Sequence, residues 1–353
     1  MKEKKTKFAF IGCGAIAHKH IRALRRISRA EIVGVYDAKP EVAEEFARDH
    51  KLTAFKDIET MMEKAKPDVL NILTPSGDHG PRVIELMKYK KHFVVEKPFA
   101  LRLEDVDHIL QEADKNNVGV FVVKQNRFNP PIKKLKEAID NGRLGKLVLG
   151  TVRVRWTRDQ AYYDEKPWRG TWAHDGGVLT NQASHHIDML VWMMGEVESV
   201  MAKTATRLVE IEAEDTGVAV LKFKSGALGV IEATTATRPE NLEGSISVLG
   251  ETGSVEIGGF FMNELKTWNF TEELPEDKEV WEKYARVPDK QGWNHTEFFK
   301  NVIESIQTGT KALVDGLEGR KSVELINALY ESAETGQEVS LRYVQKKSRL
   351  GMK

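Results

Sequence analysis

The sequence predicts two folded units in series: an α/β unit built on a parallel sheet, then an α+β unit built on a large, mostly antiparallel sheet. Three observations carry this. Short β-branched runs alternate with amphipathic helical stretches through the first third of the chain, the pattern of a parallel sheet covered by helices. Beyond residue 147 long strand-like runs follow one another across turn signals. At 353 residues, the chain exceeds what one ordinary core organises. The division is placed between residues 1–125 and 126–340.

In the first unit, strands are expected at 7–11, 31–36, 69–73, 92–95 and 118–123, with helices at 40–50, 58–64, 80–89 and 103–116 between them. Pro130-Pro131 opens a further helix, with Ile132, Leu135 and Ile139 on one face and Asn141-Gly142 at its C-terminal end. In the second unit, strands are expected at 147–156, 197–206, 216–223, 227–235, 243–249 and 254–258. Turn signals at Lys224-Ser225-Gly226-Ala227 and Gly250-Glu251-Thr252-Gly253 separate several of them. A last helix, 319–335, sets Val323, Ile326, Leu329 and Tyr330 at helical spacing and is expected to return to the first unit.

Charge excludes some classes of partner. Lysine plus arginine equals aspartate plus glutamate, 53 each, so no bulk basic field recruits nucleic acid or an anionic membrane, although a local cluster can still hold an anionic substrate. The single cysteine, Cys13, fits a reducing compartment, and the cytoplasm is expected. The apolar run after the charged N-terminus, 8–11, is too short for a signal segment, and no run approaches a membrane span.

The first strand runs into Gly12-Cys13-Gly14-Ala15-Ile16-Ala17, a G-x-G-x-x-A turn that leads into a helix. Gly12 permits the tight turn, Gly14 admits a pyrophosphate to the backbone, and Ala17 lets helix and strand pack closely. The second strand ends in Asp37, about twenty positions on, where an acid accepts from adenosine ribose hydroxyls and repels a 2′-phosphate. A Rossmann domain binding NAD is the expectation, with Lys39 leaving NADP as the alternative. The loops Leu73-Thr74-Pro75-Ser76-Gly77-Asp78-His79 and Glu96-Lys97-Pro98 should face the cofactor, since ligands bind outside the carboxyl ends of such strands. Thr74 and His79 read equally well as loop residues serving their own backbone.

Lys97 follows the apolar run Phe93-Val94-Val95, so its ammonium should emerge where a nicotinamide would lie, and Pro98 directs its backbone. The segment from Gly176-Gly177 to Gly195, read as one helix, sets Asn181, His185 and Asp188 on one face as a polar stripe. Taken alone, Lys97 is a strand-terminal lysine and His185 a histidine satisfied inside a core. A metal site on His185, His186 and Asp188 is not expected, because neighbouring helical side chains diverge by about 100°, and the sequence holds no other histidine or cysteine cluster.

Glu96-Lys97-Pro98 resembles the E-K-P signature of the Gfo/Idh/MocA oxidoreductases, and Gly176-Gly177 through His185 to Asp188 resembles their second signature. The resemblance covers nearly the whole chain. It implies that Lys97 and His185 are the acid/base pair that removes the proton of a sugar hydroxyl as hydride passes to NAD. His185 has the pKa of a base and Lys97 would donate to the same oxygen, or the roles exchange. Most sugar and inositol dehydrogenases of the family carry aspartate where Asn181 stands. Asparagine there, with Lys124-Gln125-Asn126-Arg127, Trp156-Thr157-Arg158, Tyr162-Tyr163, Trp168-Arg169-Gly170-Thr171-Trp172, Asn181-Gln182-Ala183-Ser184-His185 and Asn241 to Ser245, resembles the branch that oxidises the 3-hydroxyl of UDP-N-acetylglucosaminuronate (WlbA type).

The product of that branch is a 3-keto sugar, aminated later in nucleotide-sugar biosynthesis for surface polysaccharide such as lipopolysaccharide. By the same resemblance, Gly12, Gly14, Ala15, Ile16, Asp37, Thr74, His79, Glu96, Lys97, Gln125, Trp168 and Arg169 would meet the cofactor. Lys97, Lys124, Asn126, Arg127, Arg158, Tyr163, Asn181, Gln182 and His185 would meet the UDP-sugar. For the cations among them a charged surface is the alternative, and for Trp168 and Tyr163 it is core packing rather than stacking on a base. The expected assembly is a homo-oligomer, a tetramer by resemblance, formed through the exposed side of the second sheet. Other readings on this fold are a dehydrogenase of another sugar, inositol or nucleotide sugar, or a NAD-binding regulator without chemistry.

Overall fold

The computed structural model describes residues 4–287 and 292–341; residues 1–3 of the charged N-terminal run lie outside them. The first sheet is parallel throughout and built from β1 (Thr6–Ile11), β2 (Ala30–Tyr36), β3 (Val69–Ile72), β4 (His92–Val95) and β5 (Val120–Val122), in the order β2-β1-β3-β4-β5. Helices α1 (Ala15–Leu24), α2 (Pro40–His50), α3 (Ile58–Ala65), α4 (His79–Leu86) and α5 (Leu103–Asn116) connect these strands. Caps set their limits: Asp57 accepts the Thr60 N–H at 2.7 Å to start α3. Strand order reverses at β1, so a crevice opens beyond the carboxyl ends of β1 and β3, where this topology receives ligands.

The chain continues through α6 (Pro130–Asp140), β6 (Leu147–Arg155), α7 (Gln160–Asp164), α8 (Ser184–Met194), β7 (Val197–Ala205), β8 (Thr216–Phe223), β9 (Leu228–Thr234), β10 (Glu243–Gly250), β11 (Gly253–Gly258) and β12 (Glu264–Phe270). It ends in α9 (Pro275–Tyr284), α10 (Trp293–Thr308), α11 (Gly316–Thr335) and the short β13 (Val339–Ser340). The second sheet runs β12-β11-β10-β6-β9-β8-β7-β13; β6 pairs with β9 in parallel and the other pairs are antiparallel.

One face of this sheet is covered. Val152, Val154, Ile231 and Ile246 are buried with Met189, Leu190 and Met193 of α8 and Leu329 of α11 in a single core. The opposite face leaves Met201, Val218, Val220, Leu228 and Leu249 exposed. Strict alternation along β8 produces this: Val218 and Val220 point outward while Ala219 and Leu221 point inward.

One element departs from the expected division, and another makes its expected return to the first unit. Helix α10, which lies in the 126–340 stretch, joins the first core, where Phe298, Phe299, Val302 and Ile303 pack with Phe8 and Val94. Phe299 meets Phe8 edge to face at 5.7 Å. Helix α11 spans both units: Val323 lies in the first core and Leu325 and Leu329 in the second. At Gly319, any side chain would collide with Val122, so glycine is what lets α11 lie against β5.

Candidate active site

The turn after β1 is built as its glycines require. Gly12 has φ +102°, and a Cβ there would lie 2.7 Å from the Leu73 carbonyl oxygen of the neighbouring strand end. Gly14 is exposed, and a Cβ there would meet nothing within 4 Å, so open space lies over the N-terminus of α1. Ala15 and Ile16 begin that helix. Asp37 stands beside the turn and accepts the Cys13 N–H at 2.9 Å and the Lys39 N–H at 3.0 Å. Burial and the Asp37 charge push the Cys13 thiol up to about 12, so it stays protonated and inert. Free amides at a helix start, an open cradle and a flanking carboxylate fit a dinucleotide.

Lys97 emerges beyond β4, and its ammonium donates to the backbone carbonyl of Asn181 at 2.9 Å and to Asn181 Oδ1 at 3.4 Å. The Asn181 amide nitrogen in turn donates to Asp175 Oδ1 at 2.6 Å. Burial lowers the Lys97 pKa, while Glu96 and Asp175 pull it back up. His185 is half-buried, and its Nε2 lies 3.1 Å from the Gln125 amide nitrogen. Burial, then the charges of Lys97 and Lys124, push the imidazole well below its usual range, so it stands neutral at pH 7.

Asn181 precedes the helix rather than lying on it. Helix α8 starts at Ser184, because the stretch before it is taken up by Glu214: its carbonyl accepts the Val178 N–H at 3.0 Å and its side chain the Leu179 N–H at 2.9 Å. The expected single stripe therefore splits. Asn181 turns to Lys97, His185 to Gln125, and Asp188 to Arg127. Both ends of the Asn181 side chain are engaged within the protein, which replaces the expectation that it orients the substrate directly.

Four further expectations are corrected by burial. Arg127 is 1% exposed and spends its guanidinium on Asp188, at 2.8 and 2.9 Å, and on Glu318 at 3.0 Å. Lys124 is equally enclosed and donates to Ser322 at 2.9 Å; burial lowers its pKa to about 8. Both lie behind the site rather than at a mouth for anions. His79 places its ring between the Pro98 carbonyl at 2.6 Å and the Thr74 carbonyl at 2.8 Å, riveting the two cofactor-facing loops together instead of reaching outward. Glu96 turns into the core, where one oxygen meets His20 Nε2 at 2.8 Å and the other accepts the Lys97 backbone N–H at 3.0 Å.

Tyr163 is buried as well, its hydroxyl 3.1 Å from that of Thr235, so it packs rather than stacks. Arg169 is half-buried and lies 4.0 Å over the Tyr162 ring, with Trp168 beside it; Arg158 covers the same ring at 5.1 Å. Asn126 is half-buried in the turn after β5.

Several expected site residues retain buried polar atoms without a partner: Thr74 Oγ1, Gln125 Oε1, Gln182 Oε1, His185 Nδ1, and the Nε atoms of Arg158 and Arg169. Sequence reasoning passed over Asp175, whose signal is an acid set directly before Gly176-Gly177. It also missed the approach of His20, Glu96 and His295, whose potential ligand atoms lie within 4.8 Å of one another in the core. The direct His20–Glu96 contact already occupies two of them.

A lysine beyond the end of a parallel strand, a neutral histidine from a second unit and a dinucleotide cradle are the parts of a pyridine-nucleotide dehydrogenase. The chain belongs to the Gfo/Idh/MocA oxidoreductases: residues 6–124 match the NAD-binding Rossmann fold of that family and residues 136–341 its C-terminal alpha/beta domain. It is an NAD-dependent dehydrogenase of the sugar-oxidising type.

Among solved structures, it is similar to the WlbA dehydrogenase of Bordetella pertussis in complex with NADH and UDP-GlcNAcA. The two are 40% identical over 98% of this chain and 100% of that one, with a TM-score of 0.93. The WlbA dehydrogenase of Chromobacterium violaceum, with the same two ligands, is 41% identical over 97% of each chain, with a TM-score of 0.90. Among curated relatives, the myo-inositol 2-dehydrogenase of Thermotoga maritima is 29% identical over 96% of this chain and 99% of its own. No helix among the described residues is long and apolar enough to cross a membrane.

Proposed function

We propose that the protein oxidises the 3-hydroxyl of UDP-N-acetylglucosaminuronate to the 3-keto sugar, with Lys97 and His185 as the reacting pair. The likeness that carries the reading is the 40% identity over nearly the full length of a solved enzyme holding NADH and that sugar. Gln125 and Gln182, each with an amide oxygen that has no partner in the protein, supply polar groups suited to an acetamido sugar. Bound NAD supplies the hydride acceptor, held by the Gly12 to Ile16 turn and Asp37. Neutral His185 takes the hydroxyl proton, and Lys97, already a hydrogen-bond donor to Asn181, stabilises the negative charge that develops on the same oxygen.

The likeness to an inositol dehydrogenase favours a second reading, a free polyol as substrate. Incubation with NAD and a panel of UDP-N-acetylglucosaminuronate, UDP-N-acetylglucosamine, myo-inositol and free hexoses separates the two. Absorbance of NADH and mass spectrometry of the sugar are both read, so that slow NADH release does not hide turnover. A 3-keto UDP-uronate as the product is expected. Turnover of inositol or a hexose without turnover of the uronate overturns the proposal.

A further inference from the structure

We propose that Asp175 is a positioning residue for the reacting lysine: its carboxylate fixes the side-chain amide of Asn181 so that both Asn181 oxygens face the Lys97 ammonium. The inference rests on the reading of Lys97 as a reacting group. An amide has a donor end and an acceptor end, and nothing intrinsic to Asn181 decides which end meets Lys97. Asp175 decides it. A carboxylate only accepts, so the Asn181 amino group must point to Asp175 Oδ1, at 2.6 Å, and the amide oxygen is left toward Lys97 Nζ, at 3.4 Å. The backbone carbonyl of Asn181 completes the cradle at 2.9 Å.

Asp175 is itself held in place. It is 1% exposed, its second oxygen accepts the Gly170 N–H at 3.0 Å, and its own N–H bonds the Thr171 carbonyl at 3.1 Å. Burial raises the Asp175 pKa, while its hydrogen bonds from Gly170 and Asn181 and the charges of Lys97 and Arg169 favour the charged form; Glu214 and Tyr163 are the other titratable groups that feel its charge. Around Lys97 stand Glu96, Lys19, Arg158, Lys124 and His185. Asp175 thus places a negative charge one residue away from the ammonium without touching it, and sets the polarity of the group between them.

Exchange of the two side chains tests this. Asp175→Asn keeps the shape and the acceptor for Gly170, but its amino group then faces residue 181, turns the Asn181 amide round and presents an amino group to Lys97. For this variant kcat on UDP-N-acetylglucosaminuronate should fall about 100-fold, the scale of a misplaced reacting group, while NADH binding stays unchanged. Adding Asn181→Asp restores an acceptor toward Lys97 and should bring kcat to within about tenfold of wild type, a coupling that independent sites do not show.

The second readout needs no substrate. The rate of acetylation of Lys97 by acetic anhydride at fixed pH, followed by peptide mass spectrometry, reports the neutral amine; it should rise several-fold in Asp175→Asn and fall back in the double variant. Should circular dichroism show Asp175→Asn unfolded, Asn181→Leu removes the same oxygen from Lys97 and should raise labelling likewise. Unchanged labelling in the folded variant, or a double variant no more active than the single one, overturns the proposal. A wild-type enzyme inactive on the uronate overturns the substrate reading alone, because labelling still decides the role of Asp175.

Discussion

Arg127 and Asp188 meet through two parallel hydrogen bonds of 2.8 and 2.9 Å with almost no solvent on either side, joining the turn after β5 to the middle of α8. The pair links the unit that carries Lys97 to the helix that carries His185. Asp188→Ala would leave the guanidinium buried with Glu318 as its remaining acid. A loss of about 3–5 kcal/mol in unfolding free energy is expected from urea titration. Arg127→Lys should not compensate, because one ammonium cannot match the planar fork. A loss below about 1 kcal/mol would show that water enters to replace the partner.

Glu96 contributes a second, pH-dependent link. Burial alone would raise its pKa, but the contacts from His20 win and hold it at about 2, below the ordinary carboxylate value of 4.5. A carboxyl depressed in the fold stabilises the protein fully above its unfolded pKa and loses that contribution as pH falls through the folded one. The gap in melting temperature between wild type and Glu96→Gln should therefore be widest near pH 6 and close between about pH 4.5 and 2. A gap independent of pH would mean that the carboxylate charge contributes nothing.

The two glycines of the first turn should separate folding from binding. At Gly12, an alanine meets both the positive φ and the Leu73 carbonyl, so a loss of more than about 1 kcal/mol is expected from thermal or urea unfolding. At Gly14 a valine meets only open space, and stability should stay within about 0.5 kcal/mol. NADH binding, read by fluorescence, should weaken at least about 100-fold in Gly14→Val, because the side chain fills the space over the helix start. Equal NADH affinity in Gly14→Val and wild type would remove the cradle from that position.

The uncovered apolar face of the second sheet should bring copies of the chain together. Met201 and Val220 are cross-strand neighbours there, and Leu149 pairs with both Leu228 and Leu249. Wild-type protein is expected to run as a dimer or tetramer by light scattering, and Val220→Lys should shift it to smaller species. A monomeric wild type contradicts this.

Much of the fold was legible because its signals are local. Helix α5 and strand β8 follow the expected bounds residue for residue, since period and punctuation within each segment settle them. Helix α10 was passed over although Phe298, Phe299, Val302 and Ile303 stand at helical spacing, and that it packs on the first unit was hidden because its partner Phe8 lies almost three hundred residues earlier. The site was legible where a motif is contiguous, as at Gly12 to Ala17 and Glu96 to Pro98. It was misread where chemistry depends on which way a side chain turns. Arg127 and Lys124 carry the charges expected of a phosphate site, but composition cannot reveal that Asp188 and Ser322 claim them. Asn181 was put on a helix because nothing in its neighbours shows that Glu214 takes the amides just before it.

Helix α11 runs for 20 residues, about 30 Å of axis, with Gly319 pressed against β5 at one end and Tyr330 hydrogen-bonded to Thr180 at 2.8 Å further along. Ser332 then donates to the Gln337 carbonyl and accepts the Ala202 N–H of β7. A strut fastened at so many points denies the two units any large hinge rotation. The expected consequence is that Lys97 and His185 keep one spacing, set when the chain folds rather than assembled with each turnover.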